Sequence, residues 1–327
     1  MNMNLLKQLQ EFARLWGGFR ASRVVLTANN FAVFEHMRTP VKANDVAGIV
    51  GLDLRATEIL LDALTALGLL KKTGNKYRNT EMTKRFLVKG SPLYQGDMLR
   101  HADSLWRSWS GLDEVVRSGL PNRTGGRDHE SFIRAMHNNA VFRATDVIKA
   151  IDVRRVKKAL DLGGGPGTYS MELARKGVSV TLFDLPNTVD IAEKLIAESG
   201  IRNIDFIRGD FHSDGIGTGY DLVLISQIFH SLSVDDNLML IKKARNAMNP
   251  RGKIAIHEFL LEKNRAFPVP GALFSVNMLV NTSSGRCYTP QEMKAWLKQA
   301  GFGGVRTKVL NDTIVLTGKI MMAGKTL

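Results

Sequence analysis

Residues 156–168 restrict what this chain can fold into more than any other stretch. A short apolar strand (Ala159, Leu160, Leu162) runs into Gly163, Gly164, Gly165 and Gly167, and a helix leaves at about Thr168. Glycines that dense let the backbone approach a ligand where a Cβ would clash. Strand, glycine turn and helix start together form a nucleotide site. The phosphate-cradling form of the turn needs a glycine at position 168, where this chain has Thr168. The spacing is instead Asp161-x-Gly163-x-Gly165-x-Gly167, with a carboxylate just ahead of the turn. A carboxylate there suits a ligand that carries a cation and is awkward for a pyrophosphate. The spacing points to S-adenosylmethionine (SAM); a nicotinamide cofactor or a purely structural turn remains the alternative.

At 327 residues the length suggests two domains, each able to bury a core. No apolar run approaches the roughly 20 residues that span a bilayer. Residues 1–11 are polar and helix-like, with no signal-peptide core, which predicts a cytoplasmic protein. The single cysteine, Cys287, excludes an internal disulfide and a cysteine-rich zinc site, so no metal is expected. The net charge of +14 raises the question of nucleic acid. The basic excess leans to the N-terminal half without forming a block, and its densest cluster (Arg154, Arg155, Lys157, Lys158) reads as a solvated face.

Residues 1–37 carry apolar side chains at helical spacing in two segments, separated at Gly17-Gly18. Helices follow from Val41 to Val50 and from Leu54 to Leu67, then a hairpin around Thr73-Gly74-Asn75. Helix, turn, helix and hairpin describe a winged helix. Its second helix offers one basic residue, Arg55, against Glu58 and Asp62, and no Asn or Gln to read bases. That argues for packing and dimerisation over DNA binding. The reading divides the chain into a winged-helix domain (1–100), a helical connector (101–150) and a SAM-binding domain (151–327). On the connector, Trp106 and Met136 are candidates to line a substrate pocket, with Trp109, His101 and His137 nearby. Residues 124–128 read as a loop.

The second half alternates strand and helix, which predicts a doubly wound, Rossmann-like α/β sheet. The strand 178–183 ends at Asp184, followed by Leu185, where this architecture hydrogen-bonds ribose hydroxyls. Asp210 and Phe211 end the next strand and are placed to meet the adenine amino group and ring. Strand 221–226 ends at Ser226 and Gln227, also assigned to the cofactor. Just beyond lies His230, on the side of the sheet where ligands bind. Methyl transfer to a phenol of pKa near 10 benefits from a base that titrates near neutrality, and histidine is one. Position alone leaves open a structural role for His230. A strand 253–259 carries Glu258, able to hold the His230 imidazole in one tautomer, with His257 pointing to the opposite face. The apolar, Asn-rich stretch 268–284 supplies Asn277, Met278 and Asn281 as further pocket candidates.

These motifs, in this order, resemble the class I SAM-dependent small-molecule O-methyltransferases, the type of the plant caffeic-acid and the acetylserotonin enzymes and their bacterial relatives. The likeness spans nearly the whole chain, from residues 28–80 through Asp161–Gly167, Phe183–Pro186, Gly209–Phe211 and Ser226–Asn237 to Gly285–Glu292 and Ala300–Phe302. It implies a SAM-dependent enzyme that yields S-adenosylhomocysteine, with His230 as base and Glu258 as its orienting carboxylate. It also implies a homodimer acting on a hydroxyl of a small aromatic acceptor. The chain departs from the pattern at Ser231, where an acidic residue is usual, at Cys287, where a second carboxylate falls, and at Ser226, where a lysine or arginine is frequent. A ring C-methyltransferase and a SAM-sensing winged-helix regulator are the alternative functions.

Overall fold

A computed structural model describes residues 3–123 and 128–321, and the chain divides into two compact units after Ser104. The first unit opens with helix α1 (Met3–Asn30), a 3-10 turn (Val33–His36) and a short strand β1 (Val41–Lys42). Helices α2 (Ala43–Val50) and α3 (Leu54–Ala66) follow, then strands β2 (Leu70–Thr73) and β3 (Lys76–Asn79) and helix α4 (Glu81–Leu87). The start of α3 is set by Asp53, whose carboxylate accepts the Ala56 N–H at 2.7 Å. The expected hairpin is β2–β3, and β1 adds to β3 as a third antiparallel strand. Phe34, Met37, Leu61, Leu64 and Tyr77 form the core of this unit. Where two helical segments were expected, α1 runs unbroken through Gly17 and Gly18. A helix-interior glycine costs about 1 kcal/mol relative to alanine, which weakens a 28-residue helix without ending it.

Helix α5 (Gly96–Trp109) crosses the division, and the second unit continues with α6 (Leu112–Ser118), α7 (His129–Ala140) and α8 (Ala144–Ile151). Of the predicted loop at 124–128, residues 124–127 lie outside the described residues; Asp128 caps α7 by accepting the Ser131 N–H. Strands and helices then alternate: β4 (Lys158–Leu162), α9 (Thr168–Arg175), β5 (Ser179–Asp184), α10 (Pro186–Ser199), β6 (Ile204–Arg208) and β7 (Tyr220–Ser226). The rest is α11 (Val234–Ala247), β8 (Met248–Phe259), α12 (Val269–Asn281), α13 (Pro290–Gln299), β9 (Phe302–Leu310) and β10 (Thr313–Ile320).

Seven strands pair in the order β6-β5-β4-β7-β8-β10-β9, parallel except for β10, which is antiparallel to both neighbours. This is the predicted doubly wound α/β sheet. Its central strands are buried on both faces, as parallel strands under two layers of helices must be. Leu160, Leu162, Val223 and Ile225 enter one core, and Ala159, Leu222 and Leu224, which alternate with them, enter the other. Burying one such Leu or Val contributes roughly 1.5–3 kcal/mol. Strand β8 starts earlier than Lys253: the predicted turn at 249–252 is a bulge within it, with Arg251 at φ 66°, between the Tyr220–Met248 and Leu222–Lys253 pairs. The sheet order reverses between β4 and β7, so the carboxyl ends of β4, β5, β7 and β8 open onto the crevice where such sheets hold ligands. Among the described residues no helix is long and apolar enough to cross a membrane.

Candidate active site

The turn after β4 is built by its glycines. Gly163 has φ +72°, and a Cβ there would meet Ile228 Cδ1 at 2.5 Å. Gly165 also has positive φ (+54°), but open space lies over it, leaving the backbone bare to a ligand. Its N–H donates to Asp184 Oδ2 at 2.8 Å, and the Leu185 N–H donates to Oδ1 at 2.7 Å. Asp184 is thus locked against the turn with lone pairs to spare, and burial raises its pKa. Asp161 is fully buried. Its Oδ2 accepts from Ser170 Oγ at 2.6 Å, while Oδ1 has no partner among the described residues. Burial pushes this carboxyl up to about 6. A buried carboxylate oxygen without a donor demands an explanation, and a ligand carrying an ammonium or sulfonium provides one. The residues of this turn therefore fit SAM.

Beyond β7, a 3-10 turn (Phe229–Ser231) carries His230. Its Nδ1 lies 2.8 Å from Glu258 Oε2 at the end of β8, and both side chains are buried. Among the described residues no group hydrogen-bonds Nε2. Phe274 on α12 meets the imidazole edge-on, with centroids 4.9 Å apart, and Phe259 approaches at 5.9 Å while stacking on Phe274 at 3.9 Å. His257, one residue before Glu258, faces the other way, as the alternation of a strand requires: its Nδ1 meets Ser226 Oγ at 2.9 Å and its ring packs against Tyr169. Burial lowers His257 to about 4, so it is neutral.

Comparison with known proteins adds the decisive fact: the O-methyltransferase domain matches residues 120–303, and the O-methyltransferase dimerisation domain matches residues 13–89. The chain belongs to the O-methyltransferase family. It is 34% identical to 3-hydroxy-5-methyl-1-naphthoate 3-O-methyltransferase of Streptomyces sahachiroi, over 81% of each chain. It is 31% identical to acetylserotonin O-methyltransferase of Gallus gallus, over 91% of this chain and 94% of that one. The solved human N-acetylserotonin methyltransferase, in complex with SAM, superimposes with a TM-score of 0.87 at 27% identity, covering 97% of this chain and 98% of that one. The resemblance read from the motifs is borne out, and the enzyme is a SAM-dependent O-methyltransferase.

The other residues assigned to this methyltransferase's cofactor and acceptor fall as follows. Asp210 accepts the His212 N–H at 2.8 Å, and Phe211 is half-buried beside it with its ring against His212. Ser226 points its hydroxyl at His257 and is buried. Gln227 has φ +60°, a costly conformation for a non-glycine residue, and its buried Nε2 has no partner among the described residues. Gly167 caps α9 with φ +74°, and Leu185 is exposed. Asn277 and Asn281 share a hydrogen bond at 3.0 Å on α12, Met278 is buried next to them, and Trp106 and Met136 are half-buried on α5 and α7. Sequence reasoning singled out Trp106 over Trp109, yet it is the Trp109 indole that bonds Asn277, at 3.0 Å. Phe259 was likewise not assigned to the site, whereas Phe274 lies in the apolar stretch 268–284 that the sequence offered as a cavity wall. Helical spacing placed both tryptophans on one helix but carried no signal for which ring meets α12.

Proposed function

We propose that this O-methyltransferase transfers methyl to a phenolic hydroxyl of a small aromatic acceptor, with His230 as general base and Glu258 as the residue that positions it. The observation that carries the reading is the His230–Glu258 pair: the carboxylate can only accept, so Nδ1 holds the proton and Nε2 presents a lone pair. The aromatic rings of Phe259 and Phe274 pack around that imidazole, and α12, which supplies Phe274, contains no charged residue. Such a wall suits an uncharged ring. Both named relatives act on a hydroxyl of an aromatic compound, as their names state. SAM, when bound, supplies a methyl group on a positively charged sulfur.

The chain's own contribution is alignment and proton removal. Asp161, Asp184 and the bare backbone of the glycine turn would hold the cofactor, and Asp210, Phe211 and Gln227 border its crevice. Nε2 of His230 takes the hydroxyl proton as the oxygen attacks, and Glu258 stabilises the imidazolium that forms. Cys287 does not act as a second carboxylate, since burial pushes its thiol up to about 12 and keeps it neutral. Ser231 turns its hydroxyl back to the Ile228 carbonyl at 2.7 Å. One carboxylate therefore orients the base. The working unit is proposed to be a homodimer through residues 1–100, with residues 101–150 contributing to the acceptor pocket and 151–327 binding SAM.

His230→Ala should lower kcat by about 10²–10⁴, the usual worth of a positioned general base, with calorimetric SAM affinity retained. A variant that keeps its rate within a few-fold would remove His230 from the chemistry.

A further inference from the structure

Strand β7 has to end and turn over the crevice before His230 can face a ligand, and Gln227 makes that turn in the left-handed region, at φ +60°. A non-glycine residue stays there only where its surroundings fix it. Two hydrogen bonds do so, and one residue of β8 takes part in both. Ser226 and His257 are register partners across the parallel pair. The Gln227 N–H donates to the His257 carbonyl at 2.8 Å, and Ser226 Oγ meets His257 Nδ1 at 2.9 Å. Glu258, the next residue of β8, grips the other end of the segment. Its Oε1 accepts the His230 N–H at 3.4 Å, and Oε2 lies 2.8 Å from Nδ1. Ile228, between the two grips, packs over Gly163 of the glycine turn.

His257 is an odd occupant of its place. Strand alternation puts it on the same face of β8 as Ala255, and it pairs with Val315 of β10; both of those residues belong to an apolar core. Its own Nε2 is buried with no partner among the described residues. An apolar side chain would avoid that cost. What the ring supplies in return is Nδ1, against Ser226.

We infer that His257 is a positioning residue: through Ser226 it holds the left-handed turn at Gln227 and so aims the imidazole of His230 at the acceptor oxygen. The inference rests on the proposed role of His230 as base. His257 acts from the opposite face of β8, because side chains 257 and 258 leave the strand in opposite directions. Two consecutive residues therefore divide the work. Glu258 fixes the tautomer and tilt of the base, and His257 fixes the backbone from which it hangs. A misplacement of about 1 Å at a reacting group can cost about 10²-fold in rate, so slackening of this turn is felt in kcat before it is felt in folding.

The test compares His257→Asn, His257→Leu and Ser226→Ala with the wild type. The Asn amide extends as far from the backbone as Nδ1 does and can meet Ser226, whereas Leu packs but cannot. Methyl transfer is measured on whichever of a panel of one-, two- and three-ring phenols the wild type turns over fastest. The His230 Nδ1–H proton, hydrogen-bonded to Glu258, is followed by NMR and identified by its loss in His230→Ala. His257→Leu and Ser226→Ala should each lower kcat by about tenfold and shift or broaden that resonance, leaving affinity for S-adenosylhomocysteine within about threefold. His257→Asn should restore the resonance and bring kcat to within about threefold of wild type. Combining Ser226→Ala with His257→Leu should cost no more than the worse single change, because the two groups act as one pair. Should His257→Leu fail to fold, Ser226→Ala, the smaller change, carries the test. Wild-type kcat and an unmoved resonance in Ser226→Ala or folded His257→Leu overturn the inference, as does equal loss in His257→Asn and His257→Leu. A His230→Ala enzyme at the wild-type rate removes the proposed base itself. If the wild type methylates no phenol, the phenolic reading falls, and the resonance still decides whether His257 holds the turn.

Discussion

Asp161 is a buried carboxylate with one oxygen bonded to Ser170 and the other without a partner among the described residues. Its pKa is raised from 3.8 to about 6, chiefly by burial, with the nearby Asp184 charge adding to the shift. In the free protein a raised carboxyl favours folding below the unfolded value and loses that contribution as pH rises through about 6. A cationic ligand reverses the preference, because it stabilises the ionised form. SAM affinity should therefore rise as pH is taken from 5 to 7, by up to about tenfold per unit below the folded pKa. Calorimetry at four or five pH values checks this, with Asp161→Asn as the control whose affinity should be weaker and flat. An equally steep profile for Asp161→Asn would show that the titration belongs to another group.

Helix α7 (His129–Ala140) ties together the two loops proposed to hold the cofactor. His137 Nδ1 meets Thr168 Oγ1 at 2.8 Å at the first residue of α9, and His129 Nε2 meets Thr188 Oγ1 at 3.1 Å in the first turn of α10. The glycine turn and Asp184 lie immediately before those two helices, so α7 braces both from outside. Ile133 packs with Ile191 and Leu195 of α10, which adds an apolar contact to the polar ones. Removing one neutral hydrogen bond costs about 1 kcal/mol, or roughly fivefold in an equilibrium constant. His137→Ala should weaken SAM binding by about that factor while leaving the preference between acceptors unchanged. An unaltered SAM affinity would reduce α7 to packing alone.

At the scale of the whole molecule, the first unit leaves an apolar helix face in water. Leu9, Phe12, Leu15 and Trp16 of α1 are 58%, 62%, 81% and 56% exposed, although they recur at the helical spacing of a buried stripe. A monomer rarely keeps so many large apolar side chains in one exposed row. The matched dimerisation domain begins at residue 13, within this helix, which supports a second copy of the chain as the cover. Phe12→Glu combined with Trp16→Glu should shift sedimentation from dimer to monomer at micromolar concentration. A double variant that still sediments as a dimer would move the interface elsewhere.

Local chemistry made much of this enzyme legible in the chain alone. The Asp161-to-Gly167 turn, the acid at the tip of β5, the placing of His230 after β7 and the opposite facing of His257 and Glu258 all follow from strand alternation, glycine stereochemistry and capping. Those rules act within a few residues, so a sequence displays them directly. The continuous α1 and the bulge at Arg251 were not legible, because neighbouring structure decided them against local glycine and proline signals. Nor was the hydrogen bond from the Trp109 indole to Asn277. Two tryptophans three apart on one helix are equivalent by pattern, and only the packing of α5 against α12 brings one indole N–H to Asn277. The unpaired oxygen of Asp161 is also a tertiary fact: burial and the reach of Ser170, which sequence spacing does not measure, leave one lone-pair site open for a cation.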